Sequence, residues 1–315
     1  MMDRPQTYSR RGFLGRSLSV GALTLGGAST SATILAACGR ETVAPEAVGL
    51  FSTDRVLAAG RSQRIPFALI DPGIEGDVLL PADDEPVGVE LLSAGEVLDR
   101  IEVVGHVVTH DHVGDTGSHQ HSDLQRYYPA RFTLPEPGVY DLRITIDEES
   151  VGLPVQAFDP AEVAVPLPGE PMPIVETPTF DDPSGVDHLC TRLEPCPFHE
   201  TSFAALIGDG RPSALLVATP AFCSTAYCGP VVETLIEAAG VVDGVEIVHA
   251  EVYANPDEVD GNFADPAIRL APAVESLGLT FEPSLFLVSS DGLLVDRIDS
   301  VFDPTEAIEA LQSLT

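Results

Sequence analysis

The sequence predicts a two-part protein, an all-β sandwich followed by an α/β half. Three observations lead there. Between Val48 and Phe158, short apolar runs alternate with Pro, Gly and Asp turns. Pro then stands at 160, 166, 168, 171, 173, 178 and 183, the composition of an extended connector. From Asp187 onward, strand-like and helix-like runs follow one another.

In the first part (47–159) the clearest strands are Ser62–Ile70, Val87–Leu92, Val97–Val108, Ala130–Leu134 and Val139–Ile146. Tyr140, Leu142, Ile144 and Ile146 fall on one face, the alternation of a half-buried strand. Pro137-Gly138-Val139-Tyr140-Asp141-Leu142 resembles a tyrosine corner, which points to an immunoglobulin-like sandwich. The Pro-rich stretch, 160–186, reads as a semi-stiff spacer that holds the second part away from the first.

In the second part (187–315), Ala214–Thr219 is an apolar run suited to a buried strand. Pro230–Ala239 has helical periodicity, with Pro230 in the first turn and Gly240 as its stop. Val245–Tyr253 is a second β-rich run, and a helix is expected around Ala271–Leu277. Leu285–Val288 and Leu293–Ile298 are joined by Ser290-Asp291-Gly292, a hairpin signal. Asp303-Pro304-Thr305-Glu306 supplies an N-cap, a Pro at N1 and a Glu at N3 for a last helix.

Between the first of these strands and the first helix lies Phe222-Cys223-Ser224-Thr225-Ala226-Tyr227-Cys228-Gly229-Pro230-Val231. Cys228-Gly229-Pro230 resembles the start of the Cys-Gly-Pro-Cys motif of thioredoxins, departing at Val231, where that family has its second cysteine. Glu282-Pro283-Ser284 resembles the family's cis-proline loop, with Pro283 as the proline. Motif and element order together cover about 190–315. They imply an α/β thioredoxin-like fold and thiol–disulfide exchange, with the cis-proline holding substrate backbone against the active sulfur. Thr225-Ala226-Tyr227-Cys228 also resembles the Thr-x-x-Cys part of the peroxiredoxin motif, but Pro220 falls one residue too far upstream.

At the start of a helix, open amide N–H groups and the positive end of the dipole favour a thiolate, the attacking species. Cys228 is accordingly expected to attack a partner disulfide and Cys223 to resolve the mixed disulfide. A permanent Cys223–Cys228 staple is the inert alternative. Setting Cys38 aside, the remaining four of the five cysteines allow three connectivities. The short-range pairs 190–196 and 223–228 are the simplest, with Cys190–Cys196 as a structural disulfide.

His110-Asp111-His112 and His119-Gln120-His121 form two His-x-His pairs in a Gly/Asp-rich loop, with His106 just before. Imidazoles at i and i+2 share a strand face and suit copper or zinc, so His110, His112, His119 and His121 are the candidate metal ligands. A solvated polar loop is the competing reading. His188 and His199 flank the first cysteine pair, where a mixed Cys/His site is conceivable, although the spacing matches no zinc template well. His249 lies on the second core strand, and no histidine follows it toward Pro283, which weakens a copper-delivery reading.

The first residues concern export. Ser9-Arg10-Arg11-Gly12-Phe13-Leu14 resembles a twin-arginine signal, and Leu35-Ala36-Ala37-Cys38 resembles a bacterial lipobox that would place a lipid on Cys38. Residues 38–46 then form a tether. The whole chain carries −33; residues 1–37 hold four Arg and one Asp, a surplus of three positive charges, so the rest carries −36. All 16 basic residues are Arg. Such charge argues against nucleic acid and against a polybasic membrane patch. Together these readings predict a thiol–disulfide oxidoreductase, lipid-anchored outside the cytoplasm, acting on exported proteins without an organic cofactor. A copper-binding or copper-delivery lipoprotein, or a non-catalytic lipoprotein of this fold, is the alternative.

Overall fold

Alternation of apolar and polar residues shapes the first two sheets. The computed structural model describes residues 45–70, 85–110, 123–146, 148–223, 227–258 and 267–315. Strands β1 (Glu46–Gly49), β2 (Ser62–Ile70), β5 (His106–His110) and β6 (Asp123–Thr133) pair in the order β1-β2-β6-β5. Strands β3 (Val87–Ser93), β4 (Glu96–Val103), β7 (Gly138–Ile146) and β8 (Glu149–Ala157) pair as β4-β3-β7-β8. Every pairing in both sheets is antiparallel. Ile65, Phe67 and Leu69 of the first sheet share one core with Val89, Leu91, Leu142 and Ile144 of the second. The Tyr140 hydroxyl donates to the Glu136 carbonyl at 2.7 Å and accepts from the Glu136 N–H at 3.0 Å, so the expected corner contact is present.

The third sheet has the order β10-β9-β11-β12, from β9 (Ser213–Val217), β10 (Glu246–Ala250), β11 (Ser284–Val288) and β12 (Leu294–Asp299). β9 and β10 are parallel, and β11 runs antiparallel to both β9 and β12. Helices α1 (Cys228–Ala239) and α3 (Pro304–Gln312) cover one face, burying Val231, Leu235 and Leu311 against Leu216, Leu285 and Leu287. Leu215, Val217, Phe286 and Val288 point the other way, into the core shared with the first two sheets. Helix α2 (Pro272–Leu277) lies on that side and stops at Gly278, whose left-handed φ of 61° closes its last turn.

The expected fold class is corrected here. A helix-rich α/β thioredoxin-like fold behind a separate immunoglobulin-like sandwich does not describe this chain. The protein is mostly β, with three antiparallel or mixed sheets, and the α-helices among the described residues run to 12, 6 and 9 residues. The physical reason lies in the Pro-rich segment. Its prolines cannot continue a helix, so irregular chain (Val165, Met172 and Val175) joins α2 and the short 3-10 turn at Phe203 in the core on one face of the third sheet. The same segment hydrogen-bonds along the edge of β12, Gly169 N–H to Leu294 O at 2.7 Å and Leu294 N–H to Glu170 O at 2.9 Å. It is extended, as read from the sequence, but docked rather than a spacer. Thr42–Thr315 consequently forms one compact unit.

A buried polar node ties the first sheet to α3. Arg64 on β2 donates Nε to Glu306 Oε1 at 2.6 Å and Nη2 to Oε2 at 2.8 Å. It also donates to the carbonyls of Asp299 and Val301. The Tyr127 hydroxyl donates to Glu306 Oε2 at 2.7 Å and accepts the Asp303 N–H at 2.9 Å. Asp303 caps α3 as the sequence predicts, accepting the Glu306 N–H at 2.8 Å. His106 Nδ1 lies 2.9 Å from Asp303 Oδ1. That hydrogen bond raises the His106 pKa, with burial and Arg64 opposing and the Asp303 and Glu306 charges assisting. A raised pKa contributes stability that is complete below the ordinary histidine value and is lost as pH rises through the folded one. The unfolding midpoint should therefore fall as pH rises above the ordinary histidine value of about 6.5, and fall less in His106→Gln. Equal slopes in the two proteins would remove His106 from the account.

Candidate functional site

Two sulfur sites lie side by side at the carboxyl ends of β9 and β10. The first is the dithiol. Cys228 is the first residue of α1, and the first helical bond runs from Val231 N–H to Tyr227 O. The amide at the very start is thereby left for another acceptor, and Cys228 N–H donates to Cys223 Sγ at 3.3 Å. The two Sγ atoms are 2.6 Å apart. Cys223 is partly exposed, whereas Cys228 is fully buried at 0 %. Burial first, then the neighbouring Cys223, pushes the Cys228 thiol well up. This runs against the thiolate expected at Cys228 from its helix position. The helix-start amide serves the sulfur that precedes it, Cys223, and the sulfur on the helix itself, Cys228, is the buried one.

The Glu282–Pro283 peptide is cis and enters β11, as the motif implied for Pro283. The Glu282 charge acts on Cys228 and on Tyr253, so this loop stands within electrostatic reach of the dithiol. Burial, then Glu282 and the two cysteines, pushes the Tyr253 pKa up to about 12.

The second site was not assembled from the sequence. Cys190, Cys196, His199 and His249 are all buried, and their ligand atoms lie within 4.8 Å of one another. This group can hold a metal ion. Cys196 Sγ is 3.1 Å from His199 Nε2 and 3.4 Å from His249 Nδ1. His249 Nε2 bonds the Ala218 carbonyl at 3.0 Å, which fixes the ring and turns Nδ1 toward the sulfurs. Phe180, from the docked Pro-rich segment, packs edge-on against His199 with centroids 5.6 Å apart.

The expected Cys190–Cys196 disulfide is corrected: both are free thiols inside this group. Cys190 is held well below the usual thiol range, chiefly by the hydrogen bond from Cys196 and then by both histidines. Burial lowers His199. Burial also works against a charged His249, but hydrogen bonding to Cys190 and the Glu251 carboxylate leave its pKa raised.

The histidines proposed from the sequence fare differently. His112, His119 and His121 lie outside the described residues, as does Cys38; His110 ends β5. His106 serves the α3 node, and His188 pairs with Asp257 at 3.0 Å. Cys-x5-Cys-x2-His, 190–199, was the available signal for the second site. His249 joins it because β10 pairs with β9 and carries that residue beside Ala218.

The two sites share a frame. Thr191 Oγ1 accepts the Ala221 N–H at 3.1 Å, and Thr191 N–H donates to Glu251 at 2.6 Å. Arg192 reaches Glu233 on α1 with Nε at 2.7 Å. Among the described residues, no helix is long and apolar enough to cross a membrane. Comparison of the sequence with known protein families and with characterised proteins finds no match.

Proposed function

We propose that this protein is an extracytoplasmic thiol–disulfide oxidoreductase, exported by its twin-arginine signal and held to the outer membrane face by a lipid on Cys38. One observation carries the reading: two sulfurs 2.6 Å apart, one partly exposed and fed by a helix-start amide, the other buried. Two-step exchange needs that asymmetry. The Cys223 thiolate attacks one sulfur of a partner disulfide, and the partner's other sulfur leaves and takes a proton from water. Cys228 then gives up its proton and attacks the Cys223 sulfur, which releases the partner's second thiol. Two electrons pass to the partner, and Cys223–Cys228 becomes a disulfide. Exported proteins are the substrate class, with electrons resupplied by a membrane partner or a thiol pool.

The test is dithiothreitol-driven reduction of insulin by the full chain. Cys223→Ser should lose about a hundredfold or more, the scale of losing the sole attacking nucleophile. Equal rates in wild type and variant discard the proposal.

Copper or zinc binding is a second reading, favoured by the buried Cys190/Cys196/His199/His249 group. Thiolate and imidazole donors suit both metals.

A further inference from the structure

Four donors lie within 4.8 Å of one another, two sulfurs and two ring nitrogens, enough to complete a four-coordinate site without a substrate or water. All four residues are buried. That is the donor set of a tetrahedral structural zinc site, and it lacks the open position of a catalytic one. Copper(I) is satisfied by fewer, softer ligands and does not require both imidazoles. The support beyond the ligands is in place as well, with His249 Nε2 anchored on the Ala218 carbonyl at 3.0 Å.

The position of the site suggests what the ion does. Ala218 follows β9 directly, where the chain leaves for Cys223. The cysteine loop grips the same chain through Thr191 and Ala221, and it grips α1, which begins at Cys228, through Arg192 and Glu233. Without a tie, residues 190–199 are irregular chain whose own regular hydrogen bonding is slight. An ion would bind Cys190, Cys196 and His199 to a core strand and so fix the surface on which the dithiol loop rests.

We propose that Cys190, Cys196, His199 and His249 bind one zinc ion, and that this ion braces the Cys223–Cys228 loop. The zinc site stands independently of the exchange reading; the brace rests on it. The ion also keeps Cys190 and Cys196 as two separate thiolates in a compartment where free thiol pairs oxidise.

The full chain, purified in detergent, should carry one zinc per molecule by elemental analysis. Cobalt exchanged into it should give the intense visible bands of tetrahedral thiolate ligation. Cys196→Ser and His199→Asn should lose the ion. Because either substitution removes a buried side chain and can impair folding, the wild type stripped by a chelator and then reloaded with zinc is the second measurement. Stripping should change the alkylation rate of Cys223 by about tenfold, the scale of losing a supporting shell, and reloading should restore it. Purified protein with a Cys190–Cys196 disulfide and no uptake of zinc overturns the site. Preferred loading with copper overturns the choice of metal. Zinc bound with an unchanged Cys223 rate overturns the brace. Failure of insulin reduction with zinc in place counts against the exchange reading alone.

Discussion

Arg64→Ala should destabilise the protein by about 3–5 kcal/mol, the cost of removing one partner of a buried ion pair. The guanidinium makes four hydrogen bonds, two to Glu306 and two to backbone carbonyls before α3. It also sits over the Tyr127 ring at 5.4 Å. Alanine strands a buried carboxylate at Glu306 and leaves two carbonyls facing the gap. Burial raises the cost of charge, so the loss far exceeds that of a surface pair. Chemical denaturation reads the effect directly. A shift below about 1 kcal/mol, the range of exposed pairs, would refute the account. The double variant Arg64→Met/Glu306→Leu sharpens it, since an apolar replacement of both partners should recover most of the loss.

Cys228→Ser should convert a turnover catalyst into a trap. Cys223 keeps its amide donor and still attacks a partner disulfide, but the second thiol is gone and the mixed disulfide persists. A neighbouring group in contact is worth several orders of magnitude over a thiol from solution, so release should slow by at least about a hundredfold. Non-reducing electrophoresis of the full chain with an oxidised partner should show a covalent adduct through Cys223, with none formed by Cys223→Ser. An adduct through the sulfur at 228 in Cys223→Ser, and none in Cys228→Ser, would restore the roles first read from the motif.

Local signals in this sequence translate well. Ser62–Ile70 is a strand with the bounds read from it, Tyr140 makes its corner, and Asp303 caps α3. These features depend on neighbours a few residues away, where periodicity and capping chemistry act. The fold class was misjudged because the alternating grammar after Asp187 says nothing about what covers the second face of the sheet. Part of that cover, Val165, Met172 and Val175, comes from before Asp187, a long-range choice. The roles proposed for Cys223 and Cys228 differ from the sequence reading for a related reason. Helix position suggested charge at Cys228, but burial at the core end of α1 outweighs it and the open amide points backward. The Cys/His group was legible in part, for Cys190, Cys196 and His199 are close in sequence. Its fourth member arrives only through parallel pairing of β9 with β10.

The Arg64–Glu306 contact joins residues 242 positions apart, and Glu306 lies in the last helix of the chain. Closing so long a loop comes late, after nearer contacts have formed. A polypeptide still emerging from the ribosome carries Arg64 without its counterpart, and the first sheet waits with an unmatched cation in its core. Completion of the native state is thus deferred until Glu306 has been made, and a message truncated before codon 306 yields a product that never locks.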